Sequence, residues 1–163
     1  MSGHQPARVA LAPAQSPEAI AAARALILDY QASLGLDLAY QHFADEIAGL
    51  AVMYGPPQGA LILATLDGIP GGCVGVRPFT EVAGCCEMKR LYVAPAARGH
   101  GLGTRLAQQA MTAARALGYT RMRLDTLPAM RDAQALYERL GFRDVAAYRA
   151  NPVAGTRFLE AAL

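Results

Sequence analysis

The stretch from Cys86 to Tyr119 constrains the fold more than any other. It opens with CEMKRLYVAP, which alternates like a strand. It continues through AARGHGLG, with glycines at every second position, and closes with TRLAQQAMTAARALGY, which has helical spacing. Pro95 lacks the N–H that a ladder needs, so the strand is expected to end or leave its neighbour near Ala94. In the helix, Leu102, Leu106, Ala110, Ala113 and Leu117 fall on one face, and Gly118 stands where a cap is expected. Strand, glycine turn and amphipathic helix in immediate succession point to a mixed α/β chain.

The flanks extend this pattern. Residues 8–12 read as a short strand. SPEAIAAARALILDYQASLG reads as a helix capped by Ser16, with Pro17 at its first position and Gly35 past its end; Ile20, Ala23, Leu26, Ile27, Tyr30 and Leu34 recur at helical spacing. A shorter helix is expected over about 40–49. ALILATLDGIPGGCVGVRPF reads as two strands joined at Asp67-Gly68, a hairpin signal. TRMRLDTL is a further strand, PAMRDAQALYERLGF a helix stopped at Gly141, and two short strands are expected around 143–149 and 156–162. The order β-α-α-β-β-β-α-β-α-β-β describes a mixed β-sheet flanked by helices, with residues 1–163 as a single domain and no repeat or linker.

Composition narrows the class. The chain has 163 residues, 53% hydrophobic and 17% charged, which suits a globular core and argues against disorder. No apolar run approaches the roughly 18 residues that span a bilayer, so no membrane partner is expected. The opening MSGHQPARVALAPAQSP lacks a basic flank followed by an apolar core, and three cysteines make no disulfide framework; a cytoplasmic location is the expectation. Cys85 and Cys86 alternate across a strand, which argues against a shared metal, and no metal is expected.

Charge is unevenly spread although the net value is only +2. Residues 13–67 hold six acids (Glu18, Asp29, Asp37, Asp45, Glu46, Asp67) against Arg24 alone. Residues 87–123 hold Lys89, Arg90, Arg98, Arg105, Arg115, Arg121 and Arg123 against Glu87 alone. Such asymmetry suits a cation on one side and an anion on the other, or simply solvated faces. The arginines stand singly, without interleaved aromatics, so nucleic acid is not expected.

The glycines themselves allow two readings. A helix start offers N–H groups without intrahelical partners and a partial positive charge, and glycines let the backbone approach an anion. A flexible turn needs the same residues. A dinucleotide fingerprint fails because Thr104 stands where the third glycine belongs, and no Gly-Lys-Ser/Thr triplet exists for a P-loop.

EMKRLYVAPAARGHGLG, followed some thirty residues on by ALYERLGF, resembles the GNAT superfamily of N-acetyltransferases. The resemblance rests on Arg98, Gly101 and Gly103 in the pyrophosphate loop, the four-residue exit APAA, and Tyr137 followed by Leu140, Gly141 and Phe142. It is firm over about 59–142. It implies acetyl-CoA as co-substrate, an amine acceptor, and the loop as a cradle for the pyrophosphate of coenzyme A. Backbone groups of Leu91, Tyr92 and Val93 would hold the pantetheine arm and acyl carbonyl. Those of Gly99, His100, Gly101, Leu102, Gly103 and Thr104 would bind phosphate, beside Arg98. Met130 stands where the family often has an asparagine touching pantetheine. Oligomeric state stays open, a homodimer included.

The resemblance also assigns chemistry. Tyr137 would protonate the departing thiolate, since a phenol of pKa about 10 can serve a thiol of pKa about 8.5. Glu87 would act as general base through water, with Asp125 as the second carboxylate that other branches use. A two-residue period sets positions 87, 89, 91 and 93 on one face. The Val93 N–H, freed at Pro95, would donate to the developing oxyanion. Tyr30, Leu36, Tyr40 and Phe43 are expected either to line the acceptor side or to pack the helices. The acid excess in residues 13–67 leads to the expectation of a cationic amine. Transfer of a longer acyl group, or a non-catalytic acyl-CoA sensor, are the other readings.

Overall fold

A computed structural model describes residues 5–37 and 42–163; the expectation for Tyr40 lies outside the described residues. The elements are β1 (Val9–Pro13), α1 (Pro17–Leu34), α2 (Phe43–Ala48), α3 (Leu50–Met53), β2 (Ala60–Leu66), β3 (Ile69–Pro78), β4 (Cys85–Val93), α4 (Leu102–Ala116), β5 (Arg121–Thr126), α5 (Arg131–Arg139), β6 (Arg143–Asp144) and β7 (Arg157–Ala162). Seven strands form one sheet in the order β1-β2-β3-β4-β5-β7-β6, antiparallel except for β4 beside β5. No helix among the described residues is long and apolar enough to cross a membrane.

Local chemistry explains most boundaries. Ser16 Oγ accepts the Ala19 N–H at 3.1 Å and Pro17 opens α1; Gly35 closes it in the left-handed region. The β2–β3 turn has both Asp67 and Gly68 at positive φ, as a two-residue hairpin demands. One face of the sheet packs on α4 through Leu102, Leu106, Ala107, Ala110, Met111 and Ala114, and on α5 through Leu136 and Tyr137. The other face packs on α1 to α3 through Ala23, Leu26, Ile27, Phe43, Leu50 and Tyr54.

The short helix expected over about 40–49 is α2, which closes at Gly49, whose N–H returns to Asp45 O; the Gly49 carbonyl then starts α3, which is not among the expected elements. Two expectations are corrected. The strand expected over 143–149 stops at Asp144; after Val145 bonds Phe158 O the chain leaves the sheet as a loop carrying Tyr148 and Arg149. More consequentially, β4 does not alternate throughout. Cys73 faces Tyr92 but Gly75 faces Lys89, so two residues of β4, Arg90 and Leu91, oppose Val74 alone, and Arg90 has φ 59°. This bulge shifts the alternation by one residue. Glu87 and Lys89 therefore share the α1–α3 face with their partners Arg77 and Gly75, whereas Leu91 and Val93 pack with Cys86 and Met88 toward α4. Positions 87 and 89 do not share a face with 91 and 93.

Arg90 holds this irregularity in place. Its guanidinium reaches Glu46 of α2 at 2.7 and 3.1 Å, both side chains buried, with the Phe43 ring 5.2 Å away. Burial works against the charged guanidinium, but the hydrogen bonds and charge of Glu46 outweigh it and raise its pKa.

Candidate active site

The site exists because two parallel strands part. β4 and β5 pair only from Cys85 with Arg121 to Glu87 with Arg123. Beyond that point the residues from Met88 to Val93 and from Leu124 to Thr126 have no partner in each other, and a cleft opens between them. Ala94 N–H donates to Gly71 O at 2.8 Å, so in an antiparallel ladder the adjacent pair, Val93 with Gly72, is the non-hydrogen-bonded kind. The Val93 N–H therefore points away from β3, toward the cleft. Its freedom comes from ladder alternation and the departure of β5; β4 stays attached to β3 past Val93, so Pro95 is not the cause.

Two adjoining spaces occupy the cleft. A groove of about 560 Å³ is lined by Leu91, Tyr92, Val93, Arg98, Gly99, Gly101, Leu102, Gly103 and Thr104, and across from them by Met130 to Ala133, Leu136 and Arg139. Among the residues expected at the cofactor, His100 is the exception; it is exposed and does not line the groove. Gly101 sits at φ 72°, where a side chain is strained, and turns the chain into α4. No side chain caps α4, so the N–H groups of its first turn are left for a ligand. Arg98 is exposed and folds back to Val93 O at 3.3 Å.

The second space is a chamber of about 60 Å³ between Met88–Leu91 and Leu124–Leu127, with Tyr137 and Ala133 of α5 and Tyr30 of α1. It shares Tyr30, Leu91, Met130 and Ala133 with the groove. Tyr30 thus lines the site, with its ring 5.4 Å from that of Tyr92, whereas Phe43 is packed beneath Arg90 and Leu36 is absent from both linings.

Tyr137 is held by the way α5 ends. Gly141, at φ 97°, lets the Phe142 N–H return to Tyr137 O and the Gly141 N–H to Glu138 O, a Schellman ending. Phe142 then packs edge-on against Tyr137, ring centroids 5.7 Å apart. The Leu-Gly-Phe sequence is thus a device for fixing that tyrosine. Burial raises the Tyr137 pKa, with Tyr30 and Asp125 adding to the effect, so its phenol stays protonated at neutral pH.

The two carboxylates differ sharply. Glu87 is 1% exposed; Oε1 accepts Arg77 Nε at 3.0 Å and Nη2 at 2.9 Å, and Oε2 accepts Arg149 Nη2 at 2.8 Å. Burial pushes its pKa up, but Lys89, Arg77 and Arg149 together hold it below the ordinary value. A carboxylate so bound has little basicity, which counts against its expected role as the base. Asp125 lines the chamber, its Oδ1 3.8 Å from Lys89 Nζ and its Oδ2 3.8 Å from Arg149 Nη1. Burial pushes Lys89 down to about 8, against the opposing charges of Asp125 and Glu87.

Lys89, Arg77 and Arg149 were not singled out as site residues by sequence. Lys89 shares the face of Glu87, a clue in the strand period; Arg149 comes from a loop far along the chain from Glu87 and from Asp125 and carries no such clue. The acids of residues 13–67 do not line the chamber. Glu46 is spent on Arg90, Asp67 Oδ1 accepts the Arg8 N–H, and Glu18, Asp29, Asp37 and Asp45 lie on the surface.

The sequence model of the acetyltransferase (GNAT) family matches residues 21–142. An uncharacterized N-acetyltransferase of Schizosaccharomyces pombe is 36% identical over 157 residues, 96% of each chain. The uncharacterized N-acetyltransferase YjgM of Escherichia coli is 34% identical over 123 residues, 74% of each chain. Among solved structures, an acetyltransferase from Streptococcus agalactiae superposes with a TM-score of 0.75 at 22% identity, covering 95% of this chain and 98% of that one.

Proposed function

Because this chain belongs to the acetyltransferase (GNAT) family and is an acyltransferase, we propose that it moves an acetyl group from acetyl-CoA to a primary amine by direct attack. The observation that carries the reading is that the groove at the uncapped start of α4 adjoins the small chamber containing Tyr137. The residues fit the co-substrate. N–H groups of Leu102, Gly103 and Thr104 would hold its pyrophosphate, and the backbone of Leu91 to Val93 would hold its pantetheine arm. The chamber, about 60 Å³ against about 560 Å³ for the groove, is small, which suits a small acyl group.

When bound, acetyl-CoA supplies a thioester carbonyl and a thiol leaving group. The Val93 N–H faces the space where the carbonyl oxygen gains charge and donates to it. Tyr137 gives its proton to the departing sulfur; the same burial that disfavours phenolate also disfavours a thiolate formed beside it. An amine of pKa about 10 arrives mostly protonated and must lose a proton before attack. Asp125 Oδ2 receives the ammonium, and Lys89, 3.8 Å from the other oxygen, takes up the proton in its neutral form. Glu87 anchors Arg77 and Arg149 and does not serve as the base.

Thiol release from acetyl-CoA, measured with a panel of primary amines and with mass spectrometry of the acylated products, tests this. Release that depends on the amine supports the reading; only background hydrolysis across the panel overturns it.

A further inference from the structure

Two guanidiniums share Glu87 beside the chamber; neither lines it, but one of them stands 3.8 Å from its lining residue Asp125. Glu87 divides its two oxygens between two guanidiniums, Arg77 on one and Arg149 on the other. Each guanidinium keeps a poorly used edge. Arg77 Nη1 meets the thioether of Met53 at 3.4 Å, a weak acceptor. Arg149 Nη1 stands 3.8 Å from Asp125 Oδ2, beyond hydrogen-bond distance. Their side chains remain 21% and 25% exposed, so both can meet an incoming molecule.

Asp125 gives the second observation. Its side chain is 9% exposed, and Oδ2 is buried without a hydrogen-bond partner among the described residues. A buried carboxylate oxygen without a hydrogen bond costs stability and calls for a donor. It lines the chamber that also holds Tyr137, where a nucleophile has to lie. An unsatisfied anion and a half-used cation thus stand side by side at the place of reaction.

We infer that the acceptor carries a carboxylate next to its amine, as a free α-amino acid does. Its ammonium lies on Asp125 Oδ2, and its carboxylate bonds Arg149 Nη1 and the outer edge of Arg77. The pairing orients the nitrogen toward the chamber while the rest of the molecule stays outside. A diamine would set its second cation against two guanidiniums and is disfavoured. Arg149 is firmly presented for this purpose: the neighbouring Tyr148 ring is wedged edge-on between Phe79 and Phe158, each centroid 4.9 Å away. This inference rests on the proposed acyl transfer in the same chamber.

The test pairs each amino acid with the amine lacking its carboxylate: leucine with isopentylamine, phenylalanine with phenethylamine, histidine with histamine, lysine with cadaverine. Thiol release from acetyl-CoA gives kcat/KM, and calorimetric titration into the CoA-loaded protein gives affinity without turnover. For at least one pair the amino acid is expected to lead by about 10- to 100-fold, the value of a hydrogen bond to a charged group. Arg149→Gln should collapse that ratio to a few-fold. Binding of amino acids without turnover upholds the carboxylate site and overturns the acyl-transfer reading. Turnover that favours the decarboxylated amines upholds acyl transfer and overturns the inference. If neither member of any pair binds or reacts, the inference fails as well.

Discussion

Removing Glu46 is expected to cost this protein a large part of its stability, for reasons that lie away from the reacting groups. Glu46→Ala would leave the Arg90 guanidinium, now bonded at 2.7 and 3.1 Å, charged and 4% exposed beneath α2. Removing one partner of a buried ion pair costs about 3–5 kcal/mol, because the other charge stays desolvated. Against a total of about 5–15 kcal/mol for a domain, that is about a fifth of the stability or more. The Phe43 ring at 5.2 Å lies against the guanidinium before and after the change, so it leaves this difference unaltered. Guanidinium chloride unfolding followed by circular dichroism measures it, with Glu46→Gln as the milder companion. In a cycle with Arg90→Ala, the two losses should fall well short of additive, since both single variants break one contact. A Glu46→Ala loss below about 1 kcal/mol, or additivity with Arg90→Ala, would refute the argument that this pair ties α2 to the bulge.

Tyr137→Phe keeps the ring and its contact with Phe142, so turnover should fall by roughly 10²–10⁴ while the unfolding midpoint barely moves; parental turnover would make Tyr137 a packing residue. Gly101→Val forces a β-branched residue to positive φ in the phosphate groove and should weaken CoA binding at least about tenfold by calorimetry, at about 1–2 kcal/mol of stability. With Lys89 lowered to about 8, and active as the neutral amine, kcat should rise as pH climbs through about 8 and then level. Asp125, Glu87, Arg77 and Arg90 face this lysine and set the position of the limb. Lys89→Met should lower kcat and abolish the limb; a limb that persists assigns it to another group.

What could be read from sequence was what is decided locally. Ser16, Pro17 and Gly35 bound α1, the Asp67-Gly68 pair makes its hairpin, and the glycines before α4 and after Tyr137 lie at positive φ where the pattern called for turns. The rest depends on encounters between distant segments. The bulge is invisible in CEMKRLYV because Arg90 has no intrinsic reason to adopt φ 59°; Glu46, forty-four residues earlier, supplies it. Arg149 was hidden in a stretch that alternates well enough to look like a strand, yet the chain leaves the sheet there and brings the guanidinium to Glu87 and Asp125. The acids of residues 13–67 gave a correct count and a misleading direction, since composition cannot say which charges turn inward.

The bulge also divides β4 into two stretches that can change independently. Before it, Lys89 lines the chamber and Glu87 lies behind it, on the amine side of the proposed reaction; after it, Leu91 to Val93 border the groove proposed for the thioester partner. In the proposed reaction, substitutions at 87, or at its opposite number Arg77 on β3, can rework which amine is accepted without moving the Val93 N–H. A one-residue deletion at position 90 takes out the residue that the bulge inserts. Lys89 and Leu91 become neighbours on opposite faces, both stretches keep the faces they have now, and what is lost is the guanidinium that reaches Glu46 of α2.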